Sequence, residues 1–549
     1  MKRFLKDYYY IFLPIGITIL MLLTCPLYFG SDDDTYMMEI AASNVQGSEN
    51  VVCMSVLFGY LLKLLFTILP MVNWYVVTFL VLVNISMITL HKAVKDNGSQ
   101  IFAVGMLAVI QSYIMIRLTF TGVAFICCTS AVIWVIHKVT KLDKKSVIYF
   151  CEAFLLFLAG FGIRRGDLFI CVILLFVTYY FFAVVQKRNS ISTIIVLLAV
   201  CTAANYTVKE TTDYYRDNIP QETYFNQFNE YRAKITDRGL MNYKGHEEEY
   251  NKAGISQNDA AMLSGFLYGD KSVFSRDMMK TVEEIKDTDD RYLFNPLKIV
   301  QKMLRLPFIW WYLMSMVLAL IVLKKSRKEV LAISLFIMAA ILYLFVRRRG
   351  VARVISQISI AGMIMLTFVA MRELKGKFTF DKIKQNKLMV VVIAGLFAIS
   401  PTLTWGYLIL RVKPALEQRE QVMEYIDAHP ENVYVCSAID RMKYAFAQHR
   451  LTLTADSINI APVYNINGNW FLYTSYWYSN LDKLGLSEYS DNTFNALLEP
   501  NVIYLSSKEY QMNAITTFLY EHYGIDAEFK LVKSFDNNPL GLYSLVENN

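Results

Sequence analysis

Histidine is scarce in this chain, and its cysteines sit where they do little chemistry. The six histidines are scattered, with no metal-ligand spacing, and neither a Ser–His–Asp set nor a phosphate-binding glycine loop is present. Seven of the eight cysteines (Cys25, Cys53, Cys127, Cys128, Cys151, Cys171 and Cys201) lie in or beside apolar blocks, and only Cys436 lies in a clearly polar stretch. No paired framework and no CxxC spacing occurs, which argues against a disulfide scaffold or a zinc site. Internal repeats and low-complexity stretches are missing too, so a solenoid is not expected. The first apolar block lacks an Ala-x-Ala-type cleavage site and is too long for a removed leader, so it is expected to be an anchor.

What the chain does have is apolar length. Of 549 residues, 55% are hydrophobic, and they lie in uninterrupted blocks rather than at helical or strand spacing. Residues 10–29 (YIFLPIGITILMLLTCPLYF) hold no charge, and a bilayer crossing needs about 20 such residues. The blocks predict about 11 spans, at roughly 10–29, 74–90, 101–118, 121–137, 146–163, 168–185, 190–204, 306–323, 329–346, 354–370 and 388–410. Residues 51–70 (VVCMSVLFGYLLKLLFTILP) contain Lys63 and end at Pro70, and read as a helix along the interface. The 36 Tyr, 35 Phe and 7 Trp suit membrane interfaces.

Basic residues test the orientation, because short cytoplasmic segments accumulate Lys and Arg. With the N-terminus inside, the inner segments carry 21 and the short outer segments 7. All seven outer cations are arginine (Arg117, Arg164, Arg165, Arg347, Arg348, Arg349, Arg353), whereas 17 of the inner 21 are lysine. A planar fork used alone suggests recognition of phosphate or carboxylate. The expected fold is therefore an α-helical polytopic protein of the cell membrane with a cytoplasmic N-terminus. Residues 1–411 form its transmembrane domain, with outer loops 30–73 and 205–295, and 412–549 form a small extracytoplasmic α/β domain. In the latter, helix-like 415–429 and strand-like 432–438 precede an aromatic, loop-rich middle (464–480). A strand at 501–507, a helix to Tyr523 and a strand at 529–535 follow.

Two groups carry candidate chemistry. Asp32, Asp33 and Asp34 follow the first span, in a loop segment (30–52) without Lys or Arg. Adjacent carboxylates at a low-dielectric interface have raised pKa values, which suits a general base. The plainer reading is a helix start capped by Ser31, with carboxylates favoured by the dipole. Arg164 and Arg165 sit in a tight turn between spans, and Arg348, Arg349 and Arg353 open another short outer loop. Cations there are costly unless they face a partner or a cavity, and headgroup snorkelling is the plainer alternative. For Arg117, an intramolecular partner is at least as good a reading. Together, outer carboxylates and arginines match a lipid-linked sugar phosphate: the carboxylate deprotonates an acceptor hydroxyl, and the arginines hold the departing phosphate.

On these residues the chain resembles the GT-C superfamily of integral-membrane glycosyltransferases, in its bacterial, polyprenyl-phosphate-sugar-dependent form. The likeness lies in Gly30-Ser31-Asp32-Asp33-Asp34-Thr35-Tyr36-Met37, the interfacial helices ending Pro70-Met71-Val72-Asn73-Trp74-Tyr75, the odd span count and the C-terminal outer domain. Residues 221–239 are similar to an outer loop of bacterial members. The resemblance implies a hexosyl- or pentosyltransferase acting on a glycan or lipid-linked acceptor, with inversion at the anomeric carbon. Asp33 or Asp34 would be the base, and a third acid, Asp32, departs from the usual pair. Arg164, Arg165, Arg348, Arg349 and Arg353 would hold the donor phosphate, with Arg232, Asp237 and Lys63 as outer-loop substrate contacts. Some members bind a divalent cation, Mg or Mn, through such acids. No second ligand set is evident here, so the metal stays open. Membrane lipids are expected partners, and nucleic acid is not. The alternatives are a repeat-unit polymerase of a surface polysaccharide, a lipid or glycan transporter, and an outer-face binding or sensor protein.

Overall fold

The computed structural model describes residues 2–24, 28–29, 32–43, 47–96, 101–138, 144–164, 191–218, 220–236, 243–287, 307–346, 352–374, 413–436, 463–468 and 470–548, with isolated positions at 300–304 and 387–402. The first half comprises α1 (Lys2–Thr24), β1 (Tyr28–Phe29), α2 (Asp32–Ala42), α3 (Val56–Ile68), α4 (Trp74–Asp96), α5 (Ile101–Ile116), β2 (Arg117–Leu118), α6 (Phe120–Lys138), α7 (Lys144–Ile163) and α8 (Ile191–Asn218). Then come α9 (Pro220–Ile235), α10 (Glu247–Lys252), α11 (Gln257–Ser264), α12 (Arg276–Asp287), α13 (Pro307–Val322), α14 (Arg327–Val346) and α15 (Ala352–Glu373). The C-terminal part holds α16 (Lys413–Ala428), β3 (Val433–Cys436), β4 (Val463–Asn465), α17 (Ser475–Lys483), β5 (Val502–Ser506), α18 (Glu509–Tyr523), β6 (Ala527–Ser534) and β7 (Gly541–Glu547).

Among the described residues, seven helices are long and apolar enough to cross a membrane: Asp7–Thr24, Trp74–Asp96, Phe120–Lys138, Lys144–Ile163, Ile194–Arg216, Arg327–Phe345 and Ala352–Glu373. Two further expected spans, 101–118 and 306–323, are shorter apolar helices, because Arg117-Leu118 leaves the helix to pair with Tyr28-Phe29 and the other begins inside its block. The one at 168–185 lies outside the described residues, as does that at 388–410 apart from isolated positions. The 51–70 block forms a helix of 13 residues, roughly 20 Å long, too short to cross. It packs Phe58, Leu62 and Phe66 inward and leaves Leu57, Leu61, Leu64 and Ile68 exposed.

Burial sorts the helices. The α15 and α6 windows are 94% and 89% buried, whereas those of α1 and α8 are 22% and 28% buried. A helix that is apolar all round and enclosed on every side is a core helix, and outer helices that show Leu and Ile outward suit lipid. Polar side chains tie α1, α4 and α5: Asn84 Nδ2 donates to Thr18 Oγ1 (2.9 Å), and Gln111 Nε2 donates to the Pro14 carbonyl (2.8 Å).

The C-terminal sheet has the order β4-β3-β5-β7-β6, with β3, β4 and β5 parallel and β7 antiparallel to both neighbours. Strand β7 and helix α17 were not expected from the sequence. The Asn537-Asn538-Pro539 turn returns the chain onto β5, and Trp477 and Leu481 bury the α17 face that polar neighbours obscure. This unit is not separate from the helices. One continuous apolar cluster runs from Met21 and Phe79 through Phe471 and Trp477 to Tyr504 and Phe518.

Candidate functional site

The site forms where three helices begin. Asn73 Oδ1 accepts from Val76 N (3.2 Å) and starts α4; Thr119 Oγ1 accepts from Gly122 N (3.0 Å) and starts α6; α15 starts at Ala352. Their opposite ends share other partners: Asp96 pairs with Lys92 and Lys138, and Arg372 with Glu329. Three positive helix ends therefore point toward α2, which carries the acids and favours their charge.

Asp34 is fully buried. Its Oδ1 accepts from Phe120 N (2.7 Å) and from the Tyr75 hydroxyl (2.8 Å), so it fastens α2 to the starts of α6 and α4. Asp33 is different: its side chain keeps 19% of its exposure. Its Oδ2 lies 2.5 Å from Arg353 Nη1, and its Oδ1 accepts from Trp470 Nε1 (3.0 Å). For Asp32 the structure describes only the backbone, at the start of α2, and Ser31 lies outside the described residues.

Two of the expected arginines join this cluster. The guanidinium carbons of Arg353 and Arg164 lie 5.4 and 5.2 Å from the centre of the Phe120 ring, within cation–π range, and Arg164 also hydrogen-bonds Thr121. One turn beyond Arg353, Gln357 is buried against Gly122, whose missing side chain gives it room; its Oε1 has no hydrogen-bond partner among the described residues. Arg165, Arg348, Arg349 and Asp237 lie outside the described residues. Arg117 is exposed on β2, opposite Tyr28.

The other expected contacts sit elsewhere. Lys63 Nζ bonds Glu49 Oε2 (2.6 Å), and Arg232 is buried, donating to Asn229 (2.8 Å) and Thr236 (3.0 Å) within α9 and just beyond it. Burial pushes the Glu49 carboxyl up, but the donors Lys63 and Tyr215 outweigh it and hold it below the usual carboxylate range.

Trp470 and its neighbours had no signal in the sequence beyond an aromatic run. Tyr36 packs against Trp470 and Phe471 (ring centres 5.9 and 4.8 Å), the Tyr476 hydroxyl donates to Glu39 Oε2 (3.0 Å), and Ser475 donates to Glu222 through N (3.1 Å) and Oγ (2.7 Å). Lys271 Nζ sits among the rings of Tyr224, Tyr473 and Tyr478 and pairs with Asp491 (2.8 Å), closing the same junction.

The acid pair does not fit a divalent cation, because a guanidinium already stands against Asp33 and Asp34 faces N–H and O–H donors. Among the described residues, one histidine lies close to two acids at once. His522 Nε2 lies 2.9 Å from Asp259 Oδ1, with Glu521 nearby, but Ser256 donates to both acids, so this is a hydrogen-bonded helix start. Comparison with protein-family models, curated proteins and solved structures returns no match for this chain.

Proposed function

We propose that the chain is a membrane glycosyltransferase of the GT-C type, which moves a sugar from a polyprenyl-phosphate donor to a glycan or lipid-linked acceptor on the outer face. The observation that carries the reading is the Asp33–Arg353 pair at the converging starts of α4, α6 and α15, where a partly exposed carboxylate and a guanidinium fork lie side by side. It holds that the eleven-span arrangement applies, with these helix starts and the C-terminal sheet outside.

In this mechanism Asp33 is the base, and the buried Asp34 positions the helix that carries it. The acceptor hydroxyl gives its proton to Asp33 while its oxygen bonds the anomeric carbon. The bond from that carbon to the phosphate oxygen breaks, and the electron pair leaves on polyprenyl phosphate. Arg353 and Arg164 then face the developing phosphate charge, and Arg353 exchanges part of its contact with Asp33 for the phosphate. No step requires a metal.

The test is sugar transfer in native membranes, read as loss of radiolabelled sugar from the endogenous lipid-linked pool. General-base assistance contributes about 10²–10⁴-fold, so Asp33→Asn should be nearly inactive while remaining monodisperse in detergent. Wild-type transfer by Asp33→Asn would sink the reading.

A further inference from the structure

We propose that the C-terminal domain completes the catalytic site by supplying Trp470 as the positioning residue for Asp33, an inference that rests on the transferase reading above. Trp470 is 437 residues from Asp33 in the chain, yet its indole N–H donates to Asp33 Oδ1 at 3.0 Å while Arg353 holds Oδ2 at 2.5 Å. A carboxylate gripped on each oxygen from a different element cannot turn about its own bond. Its remaining lone-pair directions are therefore aimed, which is what a proton acceptor for a bound hydroxyl needs.

The indole is itself held. It meets the Tyr36 ring edge-on at 89° and lies beside Phe471, which packs on the same tyrosine. Three residues on, Tyr473 adopts a left-handed backbone (φ 67°), an uncommon conformation for an aromatic residue. Burial, and a hydrogen bond from its hydroxyl to the Tyr268 carbonyl (3.2 Å), keep it there. Glu39 and Glu222 then fasten Tyr476 and Ser475. The segment is strained at one residue and anchored on both α2 and α9, and its tip is the N–H that reaches Asp33. Among the described side chains, the charged groups near that carboxylate are Arg353 on α15, Asp34 on its own helix, and Arg164, which shares the Phe120 ring with Arg353; the titratable Tyr75 and Cys53 lie close by.

When the acceptor's proton moves to Asp33, the new bond to the anomeric carbon forms and the phosphate leaves with the electron pair. The proton on Asp33 is afterwards lost to water. An N–H donor favours the charged form of a carboxylate, the form that accepts a proton, so losing the donor disfavours that form.

The experiment compares Trp470→Phe with wild type in the full-length protein. It reads turnover in native membranes against pH, and binding of decaprenyl phosphate, a polyprenyl phosphate of the proposed leaving-group class, in nanodiscs. Trp470→Phe should transfer sugar roughly ten-fold or more slowly. The acid limb of its rate profile should move to higher pH, from loss of a hydrogen bond to a charged group. Decaprenyl phosphate should bind as to wild type. Should Trp470→Phe not fold, benzothienylalanine at 470 keeps the shape and removes only the N–H donor. Wild-type turnover and profile, or slower turnover with an unmoved profile, overturns the role of Trp470 even where Asp33→Asn is inactive. An active Asp33→Asn overturns the transferase reading and this role with it.

Discussion

Adjacent aspartates on one helix turn have different fates here because they leave the helix in different directions. Asp34 points into the starts of α6 and α4 and is sealed, whereas Asp33 points toward Arg353 and the domain junction. Asp34→Asn keeps the shape and one acceptor oxygen but loses the charge that the helix starts favour. We expect a destabilisation of about 1–3 kcal/mol, read as a lower melting temperature, with transfer reduced far less than in Asp33→Asn. Equal loss of transfer in both variants at unchanged stability would mean that the roles are misassigned. Phe120 serves twice, its N–H on Asp34 and its ring under two guanidinium groups. Phe120→Leu keeps the N–H and loses the ring face, a contact worth roughly 0.5–2 kcal/mol. Decaprenyl phosphate should then bind several-fold more weakly, and Phe120→Tyr should restore it. Unchanged binding in Phe120→Leu would show that the ring does not set the arginines.

At the scale of elements, the segments around the site are fastened by buried acids that each bridge two segments. Glu222 on α9 accepts from Asn50 (2.8 Å) and from Ser475, and Glu49 accepts from Lys63 on α3 and from Tyr215 on α8 (2.5 Å). Because the folded Glu49 carboxyl titrates below its ordinary value of 4.5, its stabilising contribution is full above that value. It is lost as the pH falls through the lower, folded value. Lys63→Met removes the strongest donor. The melting temperature of that variant should lie furthest below wild type near neutrality, and the gap should close as the pH falls through the lower, folded value. Melting curves across that range decide it, and a gap that persists at low pH would place the stabilisation in packing by the lysine stem.

For the whole molecule, the ion pairs at the two ends of the bundle sort the connecting segments. Asp33, Tyr75, Phe120 and Arg353 share one end, and Asp96 and Lys138 share another. In the proposed orientation the first end is outside, so a reporter active only in the cytoplasm should stay silent when fused after Asn549. It should be active when inserted in the segment around Lys141. Strong activity at Asn549 would remove the proposed orientation and the chemistry that depends on it.

Helix against strand, and apolar against polar, were legible along the chain because both are local. Blocks such as 74–90 and 121–137 are too long and too apolar to be anything but helix, and α9, α16, β3, β5 and α18 follow from short-range periodicity. Residue type alone also singled out Asp33, Asp34, Arg164 and Arg353, since charges at the ends of apolar blocks are costly without a task. Tertiary structure decided which of them meet. Whether a carboxylate is sealed or exposed depends on what packs over it, and nothing within a few residues of Asp33 or Asp34 distinguishes them. Trp470 sits 437 positions from its partner, in a run of aromatics that reads like any other core segment. A hydrogen bond across that separation depends on distant segments packing into one core, which no local pattern encodes.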